Sequence, residues 1–475
     1  MIDPRAPEKG GIGNALEDVT RHYIDRQIAD GVKGFMSALA KEMKTTKEKV
    51  FSTVDLFNPQ YVRYAGMEVI LAARLLRAQL GRVPASARNL SAYEHKVAEV
   101  CSYMQRTGFL LDREYAEKLS DRLTADELLN NERAAELGVE NVNSTDQVAD
   151  GLERMGVRIV ERTPSGKRKV DKKLLDRLVG EENPLAIAVK EAKKAGKWRK
   201  TWVDTFLATA DENDRCHASI NTLQARTGRM SITGIPAQAL PSGDWMIRRC
   251  FTADPGQVMA SIDYQAQELR VLAALSGDKT MIRAFEEGAD LHLVTARAAF
   301  GDHITKDDKE RKYAKVVNFG RVYGGGAKVV AEQTGLDMAT AKRVVSGFDK
   351  AYPGVKTYSD KLARLAGRQG YIETPIGRRL PVDPERSYSA LNYMVQSTSR
   401  DVTCRGILRL HKAGFTPYLR LPIHDEVLAS VPEAKAEWGA QKIAELMAET
   451  MGPVFIGTDP EVGGRSWGSL YGADY

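Results

Sequence analysis

Two stretches, SIDYQAQELR at 261–270 and LPIHDEVLASV at 421–431, decide how the chain is read. Each sets an acid against an apolar run that reads as a buried strand, Val258 to Ile262 in the first and Tyr418 to Ile423 in the second. A strand end is a rigid mount, so Asp263 and Asp425 are expected to hold something positive. Between them, KDDKERKYAKVVNFGRVYGGG at 306–326 reads as one helix, opened by a capping-box-like Thr305 and Asp308 and closed by Gly324 to Gly326. Arg311, Lys315, Phe319 and Tyr323 recur every four residues, and a drift of roughly 40° per step leaves them on one slowly winding stripe. Two cations followed by two rings suit a ligand with phosphates at one end and a flat base at the other, as in a nucleoside triphosphate. Singly, each feature has an ordinary reading: Asp caps turns, and cations four apart on a helix usually form a solvated face. Their joint order argues for a site.

On these residues the chain resembles the polymerase I family, the family A DNA polymerases. SIDYQAQELR is similar to its motif A, RKYAKVVNFGRVYG at 311–324 to motif B and IHDEV at 423–427 to motif C. Further matches in order are TGFLLD at 107–112, VNSTDQV at 142–148, TGRMSITGIPAQALP at 227–241, ADLHLVTARAAFG at 289–301, GYIETPIGRR at 370–379 and NYMVQ at 392–396. Short motifs alone give false positives; this ordered set covers about 95–475.

The resemblance implies an α+β fold shaped like a right hand, helix-rich with an antiparallel palm sheet. It divides the chain into an exonuclease-like helical remnant at 1–90, a thumb at 91–215, palm at 216–280 and 384–475, and fingers at 281–383. It implies a template-directed DNA polymerase that adds deoxynucleotides to a primer 3′-hydroxyl and releases pyrophosphate. Asp263 and Asp425, with the backbone carbonyl of Tyr264, would hold two Mg²⁺ ions, hard cations that take oxygen ligands. Glu426 would be an auxiliary acid; an exposed hairpin residue is the equal alternative. Arg311, Lys315 and His292 would grip the triphosphate, with Lys315 protonating the departing pyrophosphate. Phe319 would lie against the sugar and Tyr323 near the nascent pair. Glu268 would exclude a ribose hydroxyl, and Phe319 predicts poor use of dideoxynucleotides. Arg229, Gln396, Asn392 and Gln238 would contact primer–template, testing minor-groove acceptors common to all correct pairs, and His424 would support the primer end.

The chain also departs from the family pattern. Gln265, Ala266 and Gln267 stand where Ser, Gln and Ile are usual, Ala239 replaces an Asn, and Tyr388 falls where Arg is frequent. YAGME at 64–68 resembles an exonuclease element, but Glu68 replaces its Asp and no Asp-x-Glu pair precedes it, so no proofreading is expected from this chain. A separate exonuclease polypeptide or a processivity factor are candidate partners, beside primer–template DNA and deoxynucleoside triphosphates.

Composition is compatible with this reading. The net charge of +6 is concentrated, with 13 basic against 6 acidic residues in 161–200. A phosphate backbone is expected to be attracted there, with the tip TPSGKRK at 163–169, including Lys167, Arg168 and Lys169, tracking the minor groove. Cys101, Cys216, Cys250 and Cys404 show no paired spacing, which suggests neither a disulfide framework nor a zinc site. The polar start and the lack of any run of about 18 apolar residues predict a cytoplasmic protein, expected to be a monomer. A metal-dependent phosphodiesterase and an inactive nucleic-acid-binding scaffold are the competing classes; the first has little use for Glu268 or the Lys-Phe-Tyr stripe, and the intact acids and Lys315 weigh against the second.

Overall fold

Asp263 is carried by the strand Gln257–Tyr264, which forms the middle of a four-stranded antiparallel sheet. The order across the sheet is Thr458–Val462, Gln257–Tyr264, Glu426–Pro432, Leu419–Ile423. The computed structural model describes residues 11–475 apart from Asn14, Ser242, Tyr323 and Gly324. The expected strands are both present; the second begins at Leu419 because Thr416–Tyr418 forms a 3₁₀ turn.

Helices surround this sheet. The helix Ala390–Lys412 is buried along nearly its whole circumference, from Leu391 through the run Ser397–Cys404 to Leu410, so it serves as the central strut of the main hydrophobic core. A helix polar or apolar all round would be unusual at a surface; here the polar residues of the strut meet polar partners. Arg400 donates to Glu94 at 2.7 Å and to Asp401 at 3.0 Å, and Arg378 donates to both acids at 2.6 Å. Two buried cations and two buried anions thus join the helix Arg88–Thr107, the Tyr371–Glu373/Arg379–Pro381 hairpin and the strut.

The main core runs from Val97 to Trp467. A second core, Ala134 to Ala192, is made by helices that include Arg113–Glu136, Thr145–Arg154 and Pro184–Lys197. A small third core around Met36, Leu39 and Val50 lies among the N-terminal helices. Among the described residues no helix is long and apolar enough to cross a membrane.

The helix expected over 306–326 begins later, at Lys309, and is described to Val322. The Asp308 carboxylate accepts from the Thr305 backbone N–H at 2.7 Å and its hydroxyl at 2.8 Å. That closes a turn ahead of the helix instead of capping its first N–H groups, which corrects the capping-box reading.

Candidate active site

Strand pairing assembles the acids. Glu426 faces Asp263 in one register and Asp459 faces Asp263 in the other, so three carboxylates cross the sheet in one row. Asp425 lies just before Glu426 in the two-residue turn His424–Asp425, and its carbonyl accepts from the Tyr264 N–H at 3.0 Å. Two-residue hairpins favour positive φ, and His424 supplies φ 57° without being glycine. Ala266 does the same on the other side at φ 47°, turning the chain sharply from the strand into the helix Gln267–Ser276. Backbone of this kind is sparsely populated and clusters at functional sites.

These turns border a cavity of about 360 Å³ lined by Arg229, Asp263, Glu268, His424 and Asp425, with Gln267, Ser399 and Arg400. Crowding by protein atoms, followed by the like charges of Asp425 and Glu426, pushes the Asp263 carboxyl up to about 7. Its side chain stays open to solvent along the cleft, which tempers the burial contribution and leaves the facing acids as the enduring cause. Burial raises Asp425 and Glu426 too, and it lowers His424, with Arg229 acting in the same direction. Carboxylates held at this cost are poised for a cation. Among the described residues no three His, Cys, Asp or Glu side chains stand in a ligating group. Two aspartates in a roomy cleft fit Mg²⁺, which is usually bound by one or two carboxylates plus water and substrate phosphates.

The sequence-predicted residues divide among several places. Arg229 and Glu268 meet in the cleft as an ion pair. Glu426 lies beside the cavity, half-buried, and accepts from Ser261 Oγ at 2.6 Å, so it is neither an exposed hairpin residue nor a wall of the cleft. Tyr264 turns its ring into the core, where its hydroxyl donates to the Met447 carbonyl at 2.8 Å.

Arg311, Lys315 and His292 are not in the wall of the acid cavity; they form a separate group, two cations and an imidazole, on the helices Leu291–Phe300 and Lys309–Val322. Burial lowers the His292 imidazole, and the charges of Arg311 and Lys315 act the same way. Asn318 Nδ2 lies 3.0 Å from His292 Nδ1, and Arg311 Nε donates to Asp290 at 2.6 Å. Lys315 is exposed. Tyr323 and the side chain of Phe319 lie outside the described residues.

Three predicted features have partners within the chain. The Gln238 amide is occupied by the backbone, accepting from Ile232 N at 3.1 Å and donating to Met230 O at 3.2 Å, so it braces the Arg229 segment. The basic tip is not an array of free cations: Arg168 pairs with Asp150 at 2.6 Å and Glu153 at 2.8 Å, Lys169 with Glu161 at 2.8 Å, and Lys167 with Asp146 at 3.6 Å. The amide of Gln267 is buried at the edge of the cleft and donates to Thr403 Oγ1 at 2.9 Å. Asn392 and Gln396 sit half-buried on the strut, Asn392 with its Oδ1 unpartnered, and Tyr388 is exposed.

Ser399 and Arg400 are cleft residues that motif reading missed. Both are buried, with the Ser399 hydroxyl and Arg400 Nε unpartnered. The available signal was periodicity, since they follow Gln396 by three and four residues on one helix.

The chain as a whole is similar to known proteins in sequence and in fold. The family model described as DNA polymerase family A matches residues 113–469. The DNA polymerase of Mycobacterium phage D29 is 63% identical over 484 residues, spanning 100% of this chain and 79% of that protein. That of Mycobacterium phage L5 is 58% identical, with 100% and 79% covered. DNA polymerase I of Chloroflexus aurantiacus is 30% identical across 82% of this chain and 44% of its own length. In fold, the chain matches the POL domain of Pol1 from M. smegmatis, solved with DNA primer-template and dNTP. The TM-score is 0.77 at 23% identity, covering 96% of this chain and 79% of that one. With the motif acids gathered at one cleft and a family model spanning most of the sequence, the chain belongs to DNA polymerase family A.

Proposed function

We propose that this DNA-directed DNA polymerase extends a primer in the cleft bounded by Asp263, Asp425, Glu268 and Arg229, with Asp263, Asp425 and the Tyr264 carbonyl holding two Mg²⁺ ions. When bound, such cations supply charge stabilisation to the attacking and leaving oxygens of an in-line displacement. The observation that carries the reading is the convergence of Asp263 and Asp425, 162 positions apart in sequence, on one cavity through antiparallel pairing.

The chain's own groups do the rest. Arg311, Lys315 and His292 bind the triphosphate, for which Arg311 exchanges Asp290 for phosphate. Lys315 gives a proton to the departing pyrophosphate. Closure of the Lys309–Val322 helix toward the acids then joins cationic group and cleft, so geometric fit of the new pair governs alignment. Glu268 fills the space a 2′-hydroxyl would need, and Arg229, His424, Asn392 and Gln396 hold the primer–template end. In this division the sheet and strut form the palm, 281–383 the fingers and 91–215 the thumb.

The N-terminal helices act as a platform without proofreading chemistry: the Tyr64 hydroxyl is hydrogen-bonded to Glu68, tying that acid to its own helix. A labelled primer on a longer template, with Mg²⁺ and either deoxy- or ribonucleotides, tests both points. Deoxynucleotide-dependent extension without shortening is expected. Shortening without nucleotides that is lost in Glu68→Ala would overturn the platform reading, and absence of extension would overturn the polymerase one.

A further inference from the structure

The turn formed by Gln265, Ala266 and Gln267, where motif A departs from the family pattern at all three positions, is held from both sides. The Gln265 amide donates to Asp459 Oδ1 at 2.5 Å on the edge strand Thr458–Val462, and the Gln267 amide donates to Thr403 Oγ1 at 2.9 Å on the strut. Between them Ala266 stands at φ 47°, backbone that a residue with a side chain keeps only where its surroundings enforce it. An Ile at 267, the usual residue there, would have no donor to offer Thr403.

Thr403 carries the tie further. Both Gln267 and Thr403 are buried. A hydroxyl has one proton to give and two lone pairs; with the Gln267 amide donating into Oγ1, that proton is shared between the carbonyls of His424 at 3.3 Å and Ser399 at 3.4 Å. His424 stands at φ 57°, the second strained position of the site, directly before Asp425. A single hydroxyl on the strut therefore touches the turn that follows Asp263 and the turn that carries Asp425. The Tyr264 N–H also donates to the Asp425 carbonyl at 3.0 Å, so the two acid-bearing segments are tied twice, once directly and once through Thr403. Both contacts of the Thr403 proton are longer than the usual O–H···O distance of about 2.7–2.8 Å, as bonds at catalytic sites often are before substrate binds.

We propose, on the reading of Asp263 and Asp425 as the metal-holding acids, that Thr403 is a positioning residue: with Gln267 and the His424 carbonyl it fixes the spacing of the two acids and so the affinity of the cleft for its cations. It acts through the two turns, since Thr403 is not itself in the cavity wall. Partners behind a metal ligand orient it and tune what it holds.

Three variants separate positioning from packing. Thr403→Val keeps the shape and removes the hydroxyl, leaving the buried Gln267 amide without its acceptor. Thr403→Ser keeps the hydroxyl. Gln267→Leu with Thr403→Val removes both partners, so that no polar group is orphaned, which can be nearly neutral for stability. Each full-length variant is compared with the unaltered chain by urea denaturation, by single-turnover primer extension in Mg²⁺ and by Mn²⁺ binding read through electron paramagnetic resonance. Thr403→Val should slow extension and weaken Mn²⁺ binding by about 10- to 100-fold, the range for partners behind a metal ligand, while Thr403→Ser should stay within about threefold. The double variant should regain the urea midpoint of the unaltered chain but neither its rate nor its Mn²⁺ affinity. Recovery of all three in the double variant would overturn the proposal by showing that Thr403 only packs. So would a Thr403→Val chain unchanged in rate and Mn²⁺ affinity, or a Thr403→Ser chain as impaired as the valine variant. If Thr403→Val does not fold, the serine and double variants still decide. An unaltered chain that binds Mn²⁺ but extends no primer would contradict the polymerase reading instead, and the Mn²⁺ affinities would then decide for or against the role of Thr403.

Discussion

The guanidinium of Arg229 is hydrogen-bonded to the carboxylate of Glu268 inside the cleft that Asp263 and Asp425 line. Thirty-nine positions separate the two in sequence, and the pair joins the TGR segment to the first turn of the helix Gln267–Ser276. There a carboxylate also complements the positive end of the helix. In the proposed reaction both groups have other duties, one toward the primer–template and one toward the sugar, so binding of substrate competes with the pair.

Glu268→Ala should raise ribonucleotide use relative to deoxynucleotide use by about 10- to 100-fold, the range over which steric selection against one added group operates. Because the residues touch, Arg229→Ala and Glu268→Ala should not add. Steady-state kcat/KM for the four forms should show a coupling of about 0.5–3 kcal/mol. Additive effects would mean that the pair plays no part in the working enzyme.

Titration of the acids gives a second test. Asp263 rises from the ordinary 3.8 to about 7, with Asp425 and Glu426 shifted the same way. The folded, metal-free chain therefore keeps protons that the unfolded chain has released. The stability that comes from Asp263 is fully present below 3.8, declines as pH rises and is gone above about 7, and Asp425 and Glu426 add to it in the same direction. Thermal unfolding in a chelator should show that decline, and saturating Mg²⁺ should flatten it. Calorimetry should register proton release on Mg²⁺ binding below pH 7 that fades above it. A pH-independent midpoint, unchanged by Mg²⁺, would contradict this.

Pairing at the basic tip changes what its removal does. Three free cations on phosphates would contribute about 2.7 to the slope of log affinity against log salt. With Lys167, Arg168 and Lys169 engaged by local acids, the triple alanine variant should lower that slope by less than about 1. Fluorescence anisotropy on labelled primer–template across a salt series measures it.

Glu94 bridges two buried arginines, accepting from Arg378 at 2.6 Å and Arg400 at 2.7 Å. Glu94→Ala leaves Asp401 to serve both cations, with the Thr222 carbonyl as a further acceptor for Arg400, and should destabilise the chain by about 3–5 kcal/mol. Urea denaturation gives the figure, and a loss under about 1 kcal/mol would show that the network relaxes with little penalty.

Much of this site is legible in the sequence because strand-borne acids and helix-borne cations announce themselves by local pattern. Apolar runs beside acids placed Asp263 and Asp425 at the ends of strands, where the fold has them, and a four-residue repeat placed Arg311 and Lys315 on one helix. Pairings between distant segments are invisible at that level. Arg229 with Glu268, Arg311 with Asp290, and the tip cations with acids at 146, 150, 153 and 161 depend on tertiary approach that no local period encodes. The same holds for Gln238, whose amide looked available until the turn at 230–232 claimed it. Helix limits were read too long at 306 because Asp308 served either as a cap or as the closure of a preceding turn, and only the fold selects between them.

In the proposed reaction Asp263 and Asp425 carry the chemistry of the cleft without carrying DNA affinity. Asp425→Asn keeps the shape of the side chain and removes its charge, so single-turnover primer extension beside DNA binding by anisotropy tests the claim directly. Extension should fall by about 10³-fold or more while affinity for primer–template stays within about threefold. Extension within about tenfold of the unaltered chain would contradict the account.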